Sequence, residues 1–231
     1  MLTQNAGGLA VVNSSDRSIW SWEEIRERLR NPVMLPVSVN LHLIRHAQSK
    51  VNADKRVTGA QDVDLTPLGE EQAVFLGKKL LSHYDIAFTS TLKRSRKTLE
   101  LAVGSSGIKV GGILADSRLN ERSLGVLEGQ KWRWIPEYAY GDLKYAPEDG
   151  ESYEEVSRRI FSFLIGLADD ILQHPVQDIL ISGHMGPMRI MVGILMEQED
   201  PSTVLSFNFS NTEVVELTWN RLIIPGFLRA F

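Results

Sequence analysis

Five short, β-rich apolar segments recur after residue 37, and longer stretches with helical spacing separate them. The strand-like segments cover residues 39–44, 85–89, 109–114, 178–182 and 213–219. Helices are expected at 67–82, 92–103, 152–173 and 186–196. Thr66 and Pro67 supply an N-cap and a first helical residue for the first of these. In the longest, Val156, Ile160, Phe163, Leu164, Leu167 and Ile171 fall on one face. Apolar strands that alternate with helices in this way require a mostly parallel sheet covered on both sides. The expected fold is therefore α/β, a three-layer α/β/α sandwich around a mostly parallel central sheet. Ligands of such sheets sit beyond the carboxyl ends of the strands. Three segments deliver basic groups there: Arg45-His46, Ser90 to Arg94, and Gly183-His184.

Residues 1–38 read as an N-terminal extension and 39–231 as the catalytic domain. Within the extension, Ser21-Trp22-Glu23-Glu24 is a capping-box pattern for a short helix reaching Arg30, stopped by Asn31-Pro32 and Pro36. Trp20, Trp22, Ile25 and Leu29 would dock it on the body, or it serves as a lid or partner-binding arm. The 231 residues carry a formal net charge of -4, 43% hydrophobic residues and no cysteine. That balance offers no global field for nucleic acid or an anionic membrane. The lack of cysteine removes disulfides and thiolate chemistry, and suits a reducing cytosol. No stretch is long and apolar enough for a membrane span, and Met1 to Val12 lacks the pattern of a secretory signal, so a cytoplasmic location is expected.

The basic groups suit phosphoryl transfer, which needs positioning and charge stabilisation above all. Arginine forks match phosphate oxygens, an imidazole can carry a phosphoryl group, a second imidazole can neutralise charge, and the leaving alcohol needs a carboxylic acid. His42 lies four residues before His46, but no cysteine and no helical His-Glu motif accompany the pair, so no metal site is expected. His83 and His174, near expected helix C-termini, read as structural.

An ordered series of motifs carries a more specific signal. It runs Arg45-His46-Ala47-Gln48-Ser49-Lys50-Val51-Asn52, Thr58-Gly59, Asp62 to Gly69, and Ser90-Thr91-Leu92-Lys93-Arg94-Ser95 with Thr98. It continues with Leu119-Asn120-Glu121, Gly125, Glu128-Gly129, Gly150-Glu151-Ser152 and Ser182-Gly183-His184. The series, spanning about residues 39 to 217, resembles the histidine phosphatase superfamily, which includes cofactor-dependent phosphoglycerate mutases and fructose-2,6-bisphosphatases. The resemblance implies a phosphoglycerate mutase-like fold with His46 as nucleophile. It makes Arg45, Arg94 and His184 the phosphate holders and Glu121 the general acid, then base. Ser49, Asn52, Thr58 and Gly59 would line the substrate side, and Arg122 would grip a distant acidic group of the substrate or pair on the surface. Glu128 reads as loop-shaping. Neither a metal nor an organic cofactor is implied, and the expected partner is a small phosphorylated substrate.

Two positions depart from the pattern: Ala47 where Gly usually follows the nucleophile, and Met185 where Gly is common after the second histidine. Ala47 is tolerable if its φ is negative. Trp132, Trp134, Tyr138, Tyr140 and Tyr145 form an aromatic insertion that either caps a core or overhangs the substrate. Hydrolysis is favoured over mutase chemistry because the segment between Gly129 and Glu151 holds Arg133 and Lys144 but no paired arginines. A non-catalytic phosphoester-binding module is the remaining alternative.

Overall fold

The computed structural model describes residues 12–13 and 18–231; the start of the expected extension, residues 1–11 and 14–17, lies outside them, as do the side chains of Tyr138 and Tyr140. In chain order the elements are β1 (Val12–Asn13), α1 (Trp22–Arg28), β2 (Val33–Arg45), α2 (Lys50–Ala53), α3 (Pro67–Leu76), β3 (His83–Tyr84), β4 (Ile86–Thr89), α4 (Lys93–Ser106), β5 (Lys109–Val110) and β6 (Ile113–Ala115). They continue with α5 (Tyr138–Gly141), α6 (Tyr153–Gln173), β7 (Asp178–Gly183), α7 (Met185–Leu195), α8 (Pro201–Ser206) and β8 (Val214–Leu222). Short 3₁₀ turns join several of them.

The main sheet has six strands in the order β1-β6-β4-β7-β2-β8, and only β8 runs antiparallel to its neighbour. The expected α/β architecture with a mostly parallel sheet is what the chain adopts. Register aligns the functional edge: Arg45 pairs with Gly183, Thr89 with Ser182, and Ala115 with Thr89. The residues that follow these four strands therefore emerge side by side.

The helical face read from the sequence is buried in full: Val156, Ile160, Phe163, Leu164, Leu167 and Ile171 pack into the largest core cluster. Phe161, Ile165 and Ala168 are buried too, because α6 lies between the sheet and further elements rather than on the surface. One of those is α1. Its capping box is present as expected from Ser21 and Glu24. Trp22 stacks on Phe231 at 5.6 Å and meets Phe161 edge-on at 6.1 Å, while its Nε1 donates to Glu154 at 3.0 Å. Ile25 is fully buried beneath it. The helix is docked on α6.

Local differences from the sequence reading have physical reasons. Strand β2 begins at Val33, crossing the 38/39 boundary, because a bulge between Met34 and Val39 accommodates Pro36 where no ladder N–H is needed. Helix α3 stops at Leu76 and a 3₁₀ turn ends at Lys79, so His83 lies on a strand beside Asp85 instead of at a helix terminus. His174 does sit at the C-cap of α6. His42 is buried and bonds through Nδ1 to the Tyr84 hydroxyl at 2.7 Å. No described helix is long and apolar enough to cross a membrane.

Candidate active site

The β2 strand ends directly at His46, which is 2% exposed. Its backbone N–H donates to Gly183 O at 3.0 Å, and its carbonyl accepts from Asn211 Nδ2 at 2.7 Å. The ring Nδ1 lies 2.7 Å from Ala47 O. A carbonyl can only accept, so Nδ1 carries the proton and Nε2 keeps its lone pair. Burial first, then Arg94 and Arg45, hold the imidazole well below the usual histidine range. A neutral, oriented ring of this kind is a competent nucleophile.

Three further side chains converge on it. His184, fully buried at the N-cap of α7, has its ring centroid 5.0 Å from that of His46. Its Nε2 lies 2.7 Å from Ser90 Oγ, which itself accepts from Leu92 N–H. With the ring proton on Nδ1, the Ser90 hydroxyl donates to His184 Nε2. Arg94, at 0% exposure, donates through Nη1 to Gln61 O and through Nη2 to Gly59 O at 2.8 Å. Burial lowers it to about 10, with Glu121 the largest opposing influence, so it stays charged at neutral pH. Arg45 donates through Nη1 to Phe209 O at 2.6 Å and is likewise lowered by burial.

Among the described residues, buried Arg45 Nε, Arg94 Nε and His184 Nδ1 have no hydrogen-bond partner, and neither have Arg96 Nε and Arg158 Nε. Each orphaned donor costs about 1–3 kcal/mol. Arg45 and Arg94 line the same cavity as His46, an arrangement that suits an oxyanion there.

Glu121 sits across from this group on a loop fixed from several sides. Arg118, buried, pairs with Asp116 at 2.6 Å and donates to Ser162 O, while Asn120 Oδ1 accepts from Thr91 N–H and Oγ1 at 2.9 Å. Glu121 Oε1 accepts from the N–H groups of Arg122 at 2.9 Å and Gly186 at 3.0 Å, the latter in the first turn of α7. A Cβ at Gly186 would lie 2.6 Å from that oxygen. Gly186→Ala should therefore displace the carboxylate and lower kcat for alkyl phosphates by roughly 10–100-fold. Steady-state kinetics check this; unchanged kcat would mean that the carboxylate position is unimportant.

Arg45, His46, Asn52, Thr58, Gly59, Arg94 and Glu121 line a cavity of about 330 Å³, and His184 lies fully buried behind His46 rather than in the cavity lining. One expected substrate contact, Ser49, is placed otherwise. Ser49 is fully buried behind the wall, where it caps α2 and donates to Asn52 Oδ1 at 2.9 Å. It orients Asn52 rather than facing the cavity. Arg122, at 2% exposure, reaches the cavity wall, but Nε, Nη1 and Nη2 donate to Glu151 O, Ala139 O and Tyr145 O at 2.7, 2.7 and 2.8 Å. It does not pair on the surface, and three of its five N–H donors are spent on the protein. Glu128 shapes the loop as expected, accepting from Ala60 N–H and Leu124 N–H. Ala47 lies outside the positive-φ residues, which explains why alanine is accommodated there.

Sequence reasoning missed Tyr153 and Arg189 in the cavity wall, and Asn211 behind His46. Arg189 was findable: it stands one helical turn after Met185 on the same face of α7. It donates to Phe207 O and, at 3.3 Å, to Tyr153 Oη.

Both site histidines carry a pH consequence. His184 is also held well below the usual range, by burial and then Arg94. The unfolded chain protonates both near about pH 6.5, whereas the folded chain does not, so the unfolded state binds more protons below that value. Their effect on stability is nil above it and unfavourable below it. The thermal midpoint should drop from pH 7 to pH 5 with a linkage approaching about two protons. A midpoint that is flat over this range would contradict the burial of two neutral imidazoles.

Residues 41–222 match the profile of the histidine phosphatase superfamily (branch 1). Among curated proteins, a 2,3-bisphosphoglycerate-dependent phosphoglycerate mutase from Mesorhizobium japonicum is 32% identical over 68% of this chain and 81% of its own. A Hydrogenobacter thermophilus protein named provisionally phosphoserine phosphatase 2 is 34% identical over 67% of this chain and 77% of its own. Among solved structures, mycobacterial glucosyl-3-phosphoglycerate phosphatase in complex with VO3 superposes with a TM-score of 0.66 at 23% identity, covering 77% of this chain and 90% of that one.

Proposed function

The chain belongs to the histidine phosphatase superfamily, and from that premise we propose that it hydrolyses a small phosphate monoester, without a metal ion, through a phosphohistidine on His46. The observation that carries this reading is a neutral imidazole whose Nδ1 is engaged, set in one cavity with Arg45 and Arg94, whose buried Nε donors have no partner among the described residues. The phosphoryl group occupies the donor cradle of Arg45, Arg94 and His184. Nε2 of His46 attacks phosphorus as the ester P–O bond breaks, and Glu121 gives its proton to the departing alcohol. Charge on the equatorial oxygens is met by donors already in place. In the second step water attacks, the P–N bond breaks, and the water proton passes to Glu121, which restores the acid.

Relatives with mutase and phosphatase names both occur, so names do not decide between the two outcomes. Arg122 favours hydrolysis. A mutase must retain and reorient an intermediate that carries a second anionic group, and the arginine beside Glu121 spends three of its five N–H donors on protein carbonyls. The test is phosphate release from a panel of monoesters in EDTA by wild type and His46→Ala, with 3-phosphoglycerate included both with and without 2,3-bisphosphoglycerate. Metal-free release that vanishes in the variant supports the proposal. Isomerisation without release would replace it with the mutase reading.

A further inference from the structure

Part of the cavity lining is apolar. It consists of Leu124, Trp132, Ile135, Ala139 and Met185, together with the ring of Tyr153. Glu121 is the only acidic side chain among the cavity residues; of the two arginines beyond the cradle, Arg122 spends three N–H donors on protein acceptors and Arg189 two. Arg189 retains Nη2, and Asn208 lies at the exposed rim.

This wall is held in place. The guanidinium of Arg122 stacks over Tyr153 at 4.3 Å and ties the carbonyls of Ala139 and Tyr145 to the loop that carries Glu121. Ile135 and Ala139 are buried in a small cluster with Val57, against which Leu124 and Tyr145 pack. Trp132, 44% exposed, stands at the mouth with part of its ring toward solvent. Its backbone N–H donates to Lys55 O at 3.1 Å, so the aromatic insertion is anchored on two sides.

We propose that the alcohol portion of the substrate is an uncharged, ring-sized apolar group packed against Trp132, Ile135 and Met185, and that Arg122 is the positioning residue that fixes this wall. The inference rests on the phosphate-binding assignment of the preceding subsection and names the substrate class for that same site. Polar groups of an alcohol directed at Leu124, Ile135, Ala139 and Met185 would find no partners on those side chains, which disfavours them there. An apolar ring gains by burial there, and contact of this size is worth about a tenfold gain in affinity or more.

Phosphonates test the inference, because they bind without turning over. Dissociation constants of methylphosphonate, benzylphosphonate and phosphonoacetate would be measured by calorimetry in EDTA for wild type, Trp132→Ala and Arg122→Met. The expected result is benzylphosphonate binding at least about tenfold more tightly than methylphosphonate, with phosphonoacetate no tighter than methylphosphonate. In both variants the benzyl-to-methyl ratio should collapse to about threefold or less. Because this is an internal ratio on one protein sample, a general loss of folded protein does not mimic it. Phosphonoacetate binding best, or a wild-type ratio that persists in Trp132→Ala, would overturn the substrate class. Preferential benzylphosphonate binding by a protein that releases no phosphate from any ester would instead refute hydrolysis and leave this assignment standing. Failure of every phosphonate to bind would remove the cradle and this inference with it.

Discussion

His46→Ala should lower turnover of every phosphate monoester by roughly 10⁴-fold or more, since the covalent route disappears altogether. The effect is expected to fall on chemistry rather than on the pocket. Arg94 holds the loop at residues 59–61, Arg45 is held by Phe209 O, and His184 is held by Ser90, none of them through the His46 ring. Phosphonate affinity in the variant should therefore stay within about tenfold of wild type, while kcat collapses. Near-normal turnover in His46→Ala would remove the nucleophile assignment. A parallel loss of phosphonate binding and thermal stability would mean that the ring serves mainly as packing.

The second large effect is expected for Glu121→Gln, and it depends on the leaving group. The amide oxygen of glutamine can still accept from Arg122 N–H and Gly186 N–H, so the side chain keeps the position that Oε1 has now. What it loses is the proton to give. Alkyl phosphates, whose alkoxides are poor leaving groups, should slow by about 10²–10⁴-fold. A nitrophenyl ester needs no such proton, so its first-turnover burst should survive in rapid-mixing experiments even where the slower dephosphorylation limits the steady state. Equal loss of the burst and of alkyl turnover would point to a different acid.

The contrast between these two residues and Arg122 shows what the sequence could convey. His46, Arg94 and His184 each follow a strand or open a helix next to one. Alternating strands and helices in a parallel sheet bring such positions to one edge whatever lies between, and the register of β2, β4 and β7 does so here. The basic identity of these residues then suffices to suggest an anion. Ser49 and Arg122 have equally suggestive identities, yet Ser49 and three of the five N–H donors of Arg122 are consumed locally. The three acceptors of Arg122 are backbone carbonyls at residues 139, 145 and 151. Every residue has a carbonyl, so no sequence signal marks those three. The same holds for Asn211, whose amide supports the His46 carbonyl from the turn before β8.

Fold details follow a similar division. The buried face of α6 and the capping box at Ser21 were legible because periodicity and capping act within a few residues. The extent of β2 was not, because Pro36 reads as a strand breaker unless a bulge excuses its missing N–H. The expected strand at 109–114 is two strands, β5 and β6, in different sheets. A Cβ at Gly111 would approach Asp85 O to 2.3 Å, so the chain turns there through a contact that only the tertiary structure reveals.

The central claim is a covalent phosphoryl group on His46, and the most direct measurement is to quench the enzyme during turnover of a labelled phosphoester and characterise the bound label. The account predicts an acid-labile, base-stable phosphohistidine that maps to the peptide containing His46 and is absent from His46→Ala. Turnover in wild type with no trapped label, or with label on an acid-stable hydroxyl ester elsewhere in the chain, would contradict it.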